Sequence, residues 1–155
     1  MFYLLGAIGG MVASVLSLAV YLVSSYAIFK ICKIRFIPNA WLAFIPIFSL
    51  YMVGQIIDSM KYNHYKINHY ISDIPMAYAL PIAALATNVL PMIPLLGSLA
   101  VWLINLVLWA AEILMAYFVF HLYAEPKQTI PFTVLSIIPV VGPVLMLYVL
   151  KDRRY

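Results

Sequence analysis

Glu112 is the one acidic or basic residue placed deep inside an apolar run of this chain. Ser98 and Asn105 precede it at seven-residue intervals. Seven residues are close to two helical turns, so the three form one nearly straight polar stripe. A carboxylate in hydrocarbon is costly unless it is protonated, paired or facing water, which makes Glu112 a functional candidate. The chemistry open to such a stripe is proton or cation handling. The plainer reading is a neutral carboxyl, hydrogen-bonded to a neighbouring helix and serving only to hold the helices together.

Other candidates carry less. Gly6, Gly10 and Ser14 recur every four residues, a spacing that lets two membrane helices approach closely, within one chain or between copies. His64 and His69, with His121 as a third, lack the spacing and the carboxylate or thiolate partners of a metal site. Trp102 and Trp109 read as packing residues. Cys32 is the sole cysteine and lies among Lys30, Lys33 and Arg35. It reads as a reduced cytoplasmic thiol and a weak candidate for acylation. There is no nucleophile–base pair in a motif that fixes geometry, no glycine-rich phosphate loop and no HExxH, so no enzyme chemistry and no cofactor is expected.

The elements that must position these residues follow from composition. Of 155 residues, 66% are hydrophobic and 9% charged, with mean hydropathy +1.05. Soluble domains run at about 45–50% apolar and about 25% charged. That excludes soluble and disordered classes and leaves an all-α integral membrane protein, one membrane domain over 1–155 with the lipid bilayer as its first partner. The net charge of +4 does not imply nucleic acid. The nine Lys and Arg cluster at the ends of apolar runs, as the positive-inside rule requires. Residues 1–29 carry no charge, and the cationic cluster follows the apolar run. This predicts a retained span with its N-terminus outside, not a cleaved signal peptide.

Charges divide the chain into apolar stretches at 1–29, 36–57, 74–122 and 128–150. Pro91, Pro94 and Gly97 break the third, predicting spans near 76–93 and 97–123. The chain also repeats itself. A shift of 91 residues lays Leu4-Leu5-Gly6 on Leu95-Leu96-Gly97, Tyr26 on Tyr117 and Phe29 on Phe120. Two residues more align Ile37-Pro38 and Ile45-Pro46 with Ile130-Pro131 and Ile138-Pro139. Repeat A covers 4–57, a loop and span cover 58–94, and repeat B covers 95–150. The stripe of repeat B answers to Ala7, Ser14 and Tyr21 in repeat A.

The second element of each repeat carries a proline near its middle, Pro46 and Pro139, with Gly142 and Pro143 following the second. Proline there kinks or breaks a helix. Either these are kinked spans, five in all, or they are re-entrant hairpins that dip and return, leaving three full spans. Five spans place Lys61, Lys66 and Lys127 outside; three spans with two dips place all nine cations inside. Charge counting favours the dips. The segment 58–73 holds Tyr62, Tyr65, Lys66 and His69 at helical spacing, which suits a short helix in the headgroup layer or a tyrosine-rich loop.

The stretch Ala40-Trp-Leu-Ala-Phe-Ile-Pro-Ile47 resembles a family of small bacterial multi-pass membrane proteins of unknown function with repeated Trp-x-Ala-x-Ile-Pro-Ile-type elements. Val134-Leu-Ser-Ile-Ile-Pro-Val-Val-Gly-Pro143 is similar. The resemblance implies the membrane class and the repeated Ile-Pro elements and transfers no activity. It is the cations Lys151, Arg153 and Arg154 that place the C-terminus on the cytoplasmic side of the cell membrane. Two functions stay open: a non-enzymatic accessory, assembly or protective subunit acting through helix packing on a membrane partner or a second copy, and a small oligomeric transporter or channel using Glu112. An intramembrane enzyme ranks third. A cysteine placed at Asn63 decides the topology: the dips predict labelling from the cytoplasmic side, and labelling from outside would establish five spans.

Overall fold

Away from water a chain must satisfy its own backbone N–H and C=O groups, and a helix does so within one segment. The computed structural model is helical throughout, with no strand among the described residues. It describes residues 2–61, 71–92, 96–138 and 140–151. Helix α1 (Phe2–Ile34) runs for 33 residues, about 50 Å at the helical rise. It ends at Phe36, whose φ is 55°. The Phe36 N–H donates to the Lys33 carbonyl, and the Ile37 N–H to that of Cys32 at 2.9 Å. These are the paired bonds of a Schellman cap, a place glycine usually takes.

Asn39 is also left-handed and leads into a 3₁₀ turn over Ala40–Phe44. Ile45 is extended, and helix α2 (Pro46–Met60) begins with proline in its first turn, where a missing N–H costs nothing. Pro46 therefore starts a helix; it does not interrupt one. The contacts trace the path of this element. The Phe44 ring lies 5.7 Å from Phe29, and its carbonyl accepts from the Tyr21 hydroxyl at 2.9 Å, so the chain has climbed back beside α1. Then α2 descends. The Cys32 thiol meets Met52 Sδ at 3.8 Å, and Arg35 Nη2 donates to the Ser59 carbonyl at 2.7 Å. Residues 36 and 59 lie at the same end of α1.

Helix α3 (Met76–Val89) packs on α2 through a backbone contact. A Cβ on Gly54 would collide with the carbonyl of Met76. One turn on, Asp58 accepts the N–H groups of Met76 and Ala77 at 3.3 and 3.0 Å, satisfying donors that a helix start leaves open. Lys61 pairs with Asp58 at 3.0 Å and donates to the carbonyls of Ser72 and Ile74 at 3.1 and 3.3 Å. A 3₁₀ turn over Leu90–Met92 then leads to helix α4 (Leu96–Tyr123). Gly97 abuts the Leu90 carbonyl, a close approach that needs glycine at 97; residues 93–95, Pro94 of the expected break among them, lie outside the described residues.

Helices α5 (Thr129–Leu135) and α6 (Val141–Val149) complete the described chain. Phe132 packs on Phe120 with ring centroids 5.6 Å apart, Gly142 backs onto Ser136, and α6 packs against both α1 and α4. Gly142 and Pro143, expected to turn the chain, instead form the first turn of α6. Pro139 lies outside the described residues, as do Tyr62, Tyr65, Lys66 and His69. Ala13–Ile34 and Gly97–Tyr123 are long and apolar enough to cross a membrane; the apolar stretch Met76–Met92 is shorter.

The core sits near the cationic end of α1. Ile31, Met52, Ile56, Ile57, Phe118 and Phe120 are fully buried, whereas residues 13–19 of α1 are exposed at every position. The α2–α3 contact is the most sensitive joint. Gly54→Ala should force the helices apart and lower stability by about 2 kcal/mol. Asp58→Ala, which strips a cap and a charge partner from the buried Lys61, should cost about 3 kcal/mol. Thermal melting in detergent measures both.

Candidate functional site

Glu112 lies on α4 and lines a cavity of about 140 Å³. Trp109 and Ala116 flank it on the same helix, and Val20, Ser24 and Ala27 of α1 form the opposite wall. Gly142, Pro143 and Met146 of α6 close one side, with Ser136 from the segment just before it. The tertiary structure therefore brings two features that lie far apart in sequence into one place: the Glu112 carboxyl and the break ahead of α6.

The hydroxyls in this cavity are already committed as donors. Ser24 Oγ donates to the Val20 carbonyl at 2.9 Å, and Ser136 Oγ donates to the Phe132 carbonyl at 2.8 Å. Each is the backward bond to the carbonyl four residues earlier that serine makes in a helix. What they present to the cavity is oxygen lone pairs. A carboxylate adds only acceptors.

Ser98 and Asn105 share the cavity's face of α4 by their seven-residue spacing, and both are exposed, as is Glu112. Among the described residues, no hydrogen bond or ion pair engages Asn105 or Glu112. The bond to a neighbouring helix that would make Glu112 a packing group is thus not formed within the described chain. Trp102 and Trp109 are not core packing residues either. They are 61% and 43% exposed, because the inner face of α4 is taken by Ala111, Met115 and Phe118. Gly6, Gly10 and Ser14 all lie on α1, and Ser14 is at an exposed position.

Cys32 is fully buried, with Met52 against its sulfur. This corrects the reading of an accessible juxtamembrane thiol: α2 returns over it, so acylation cannot reach it in the folded chain. No cluster of three metal-ligating side chains exists among the described residues, and His64 and His69 lie outside them.

Sequence reasoning passed over Ser24 and Ser136, which look like ordinary small polar residues in apolar runs. Their only sequence signal is position, Ser136 just ahead of Ile138-Pro139. It also passed over Ser25, which is 1% exposed and whose Oγ has no partner. A buried hydroxyl without a hydrogen bond is a net cost. Ser25→Ala should therefore raise the thermal midpoint, by the equivalent of about 1 kcal/mol, whereas a drop in the midpoint would reveal a bonded hydroxyl. No family model, curated protein or solved structure matches this chain.

Proposed function

We propose that this chain is a multi-pass membrane protein that acts without enzymatic chemistry, as an accessory or assembly subunit whose α1 and α4 receive a transmembrane helix of another protein. The observation that carries this reading is the bare half of the structure. Residues 13–19 of α1 are exposed all round, and α4 exposes Asn105 and Glu112 beside Trp102, Leu106 and Val107. An amide and a carboxyl facing lipid are unfavourable, and a partner helix that hydrogen-bonds them removes the cost.

The topology adopted is three spans, α1, α3 and α4, with two re-entrant hairpins. The contacts that hold residues 36 and 59 at one end of α1 support the first dip. The fold of α5 back along α4 supports the second. The repeat gains support from equivalent positions. Tyr21 answers to Glu112, and Tyr21 bonds the carbonyl ahead of the first helix break while Glu112 lines the cavity at the second. This topology puts the N-terminus outside and the C-terminus in the cytoplasm.

A second reading, a small oligomeric transporter or channel, is favoured by that cavity, where Glu112 meets a broken helix near mid-span as in transporter sites. One comparison separates the two. The subunit reading predicts a partner recovered from native membranes at fixed stoichiometry. Asn105→Leu with Glu112→Leu should cut that recovery roughly tenfold, a loss of about 1.4 kcal/mol of association, without lowering the thermal midpoint. Isolation of a lone monomer, together with proton or cation flux in liposomes abolished by Glu112→Gln, would establish the second reading instead.

A further inference from the structure

The cavity between α1, α4 and α6 has a chemical bias that neither function requires. Its polar side-chain groups, apart from the indole N–H, are acceptors: the Glu112 carboxylate and the lone pairs of Ser24 and Ser136, whose protons are spent on backbone carbonyls. Trp109 adds an aromatic ring. The remaining walls, such as Val20, Val53, Ile113 and Met146, are hydrocarbon.

An acceptor-rich cavity selects a donor or a cation, and the choice among cations follows from the walls. Calcium takes about 6–8 oxygen ligands and magnesium demands near-octahedral coordination with retained water. Three side chains with oxygen in an otherwise apolar cavity do not meet either need. An organic ammonium ion needs less. One carboxylate balances its charge, an indole face attracts it, and its alkyl groups lie against hydrocarbon.

We propose that this cavity is a binding site for a small alkylammonium ion, held by Glu112 and Trp109 with Ser24 and Ser136 as acceptors. The site shares Glu112 with the face given to the partner helix but adds Ser24, Trp109 and Ser136, which the subunit reading does not use, so ligand binding by the isolated chain tests it separately from partner recovery. It gives the second reading a class of ion without requiring that the ion be carried across.

The test uses the full chain in nanodiscs of phosphatidylglycerol, which bring no amine headgroup. Trp41→Phe and Trp102→Phe leave Trp109 as the single indole of the three, and its fluorescence reports binding. tert-Butylammonium should give a saturable change, with sodium and the uncharged isostere tert-butanol weaker by roughly tenfold or more. Glu112→Gln should weaken tert-butylammonium to a similar degree, roughly tenfold, and Ser24→Ala with Ser136→Ala, which removes two acceptors for its N–H groups, by about threefold. Equal response to tert-butanol would overturn the proposal by showing an apolar pocket. Tighter binding of sodium would overturn it by showing an inorganic cation site. Both comparisons are made on the protein with Glu112 intact, so they decide the matter even if Glu112→Gln does not fold.

Discussion

A helix interrupted away from water leaves carbonyls and N–H groups that only other parts of the chain can satisfy, and the arrangement of this protein follows from where those interruptions fall. The first lies at Ile45-Pro46. Its exposed carbonyl, on Phe44, is taken by the Tyr21 hydroxyl from α1. The second lies between α5 and α6, where Gly142 packs onto Ser136 and Ser136 bonds back to Phe132. Each broken element is thereby tied to a long helix, the first to α1 and the second to both α1 and α4.

The same constraint explains why the core is one-sided. The broken elements are too short to run the length of α1, so they fill only the part of the bundle near its cationic end. The side chains buried there, Ile31 and Met52 among them, come from α1, α2 and α4 together. Beyond their reach, residues 13–19 of α1 are left exposed. The α2–α3 contact also belongs to this end. Gly54 lets the backbone of α3 approach, and Asp58 can then reach two N–H groups of its first turn. Lys61 is held by the same carboxylate and by two carbonyls of the chain leading into α3. A close backbone approach, a helix cap and an ion pair thus share two turns of one helix. Loss of any one weakens the others.

Much of the architecture was legible in the residues. Apolar runs of this length without alternation leave helix as the economical backbone, and the helices expected near 76–93 and 97–123 are α3 and α4, of which only α4 is long and apolar enough to cross a membrane. The boundary between α3 and α4 was legible because proline and glycine act locally. Pro46 was less so. A proline near the middle of an apolar run announces a break, but whether the chain kinks, turns back or starts a new helix depends on what lies beside it. Cys32 failed as a surface thiol for the same reason. Its neighbours in sequence are cationic, but its neighbour in space is Met52.

The site divides along the same line. Glu112 stood out because one charge among so many apolar residues is a local fact, and Ser98 and Asn105 joined it through helical periodicity. Ser24 and Ser136 had no such signal. The amino-acid sequence by itself determined the helices, their approximate ends, the stripe on α4 and the grouping of the cations, since each rests on periodicity, composition or the fixed geometry of proline. Tertiary structure alone decided that α2 returns over Cys32 and that Asp58 caps α3. It also decided that Glu112 opens onto the break ahead of α6, because only packing sets which faces meet and which hydroxyls have their protons already engaged.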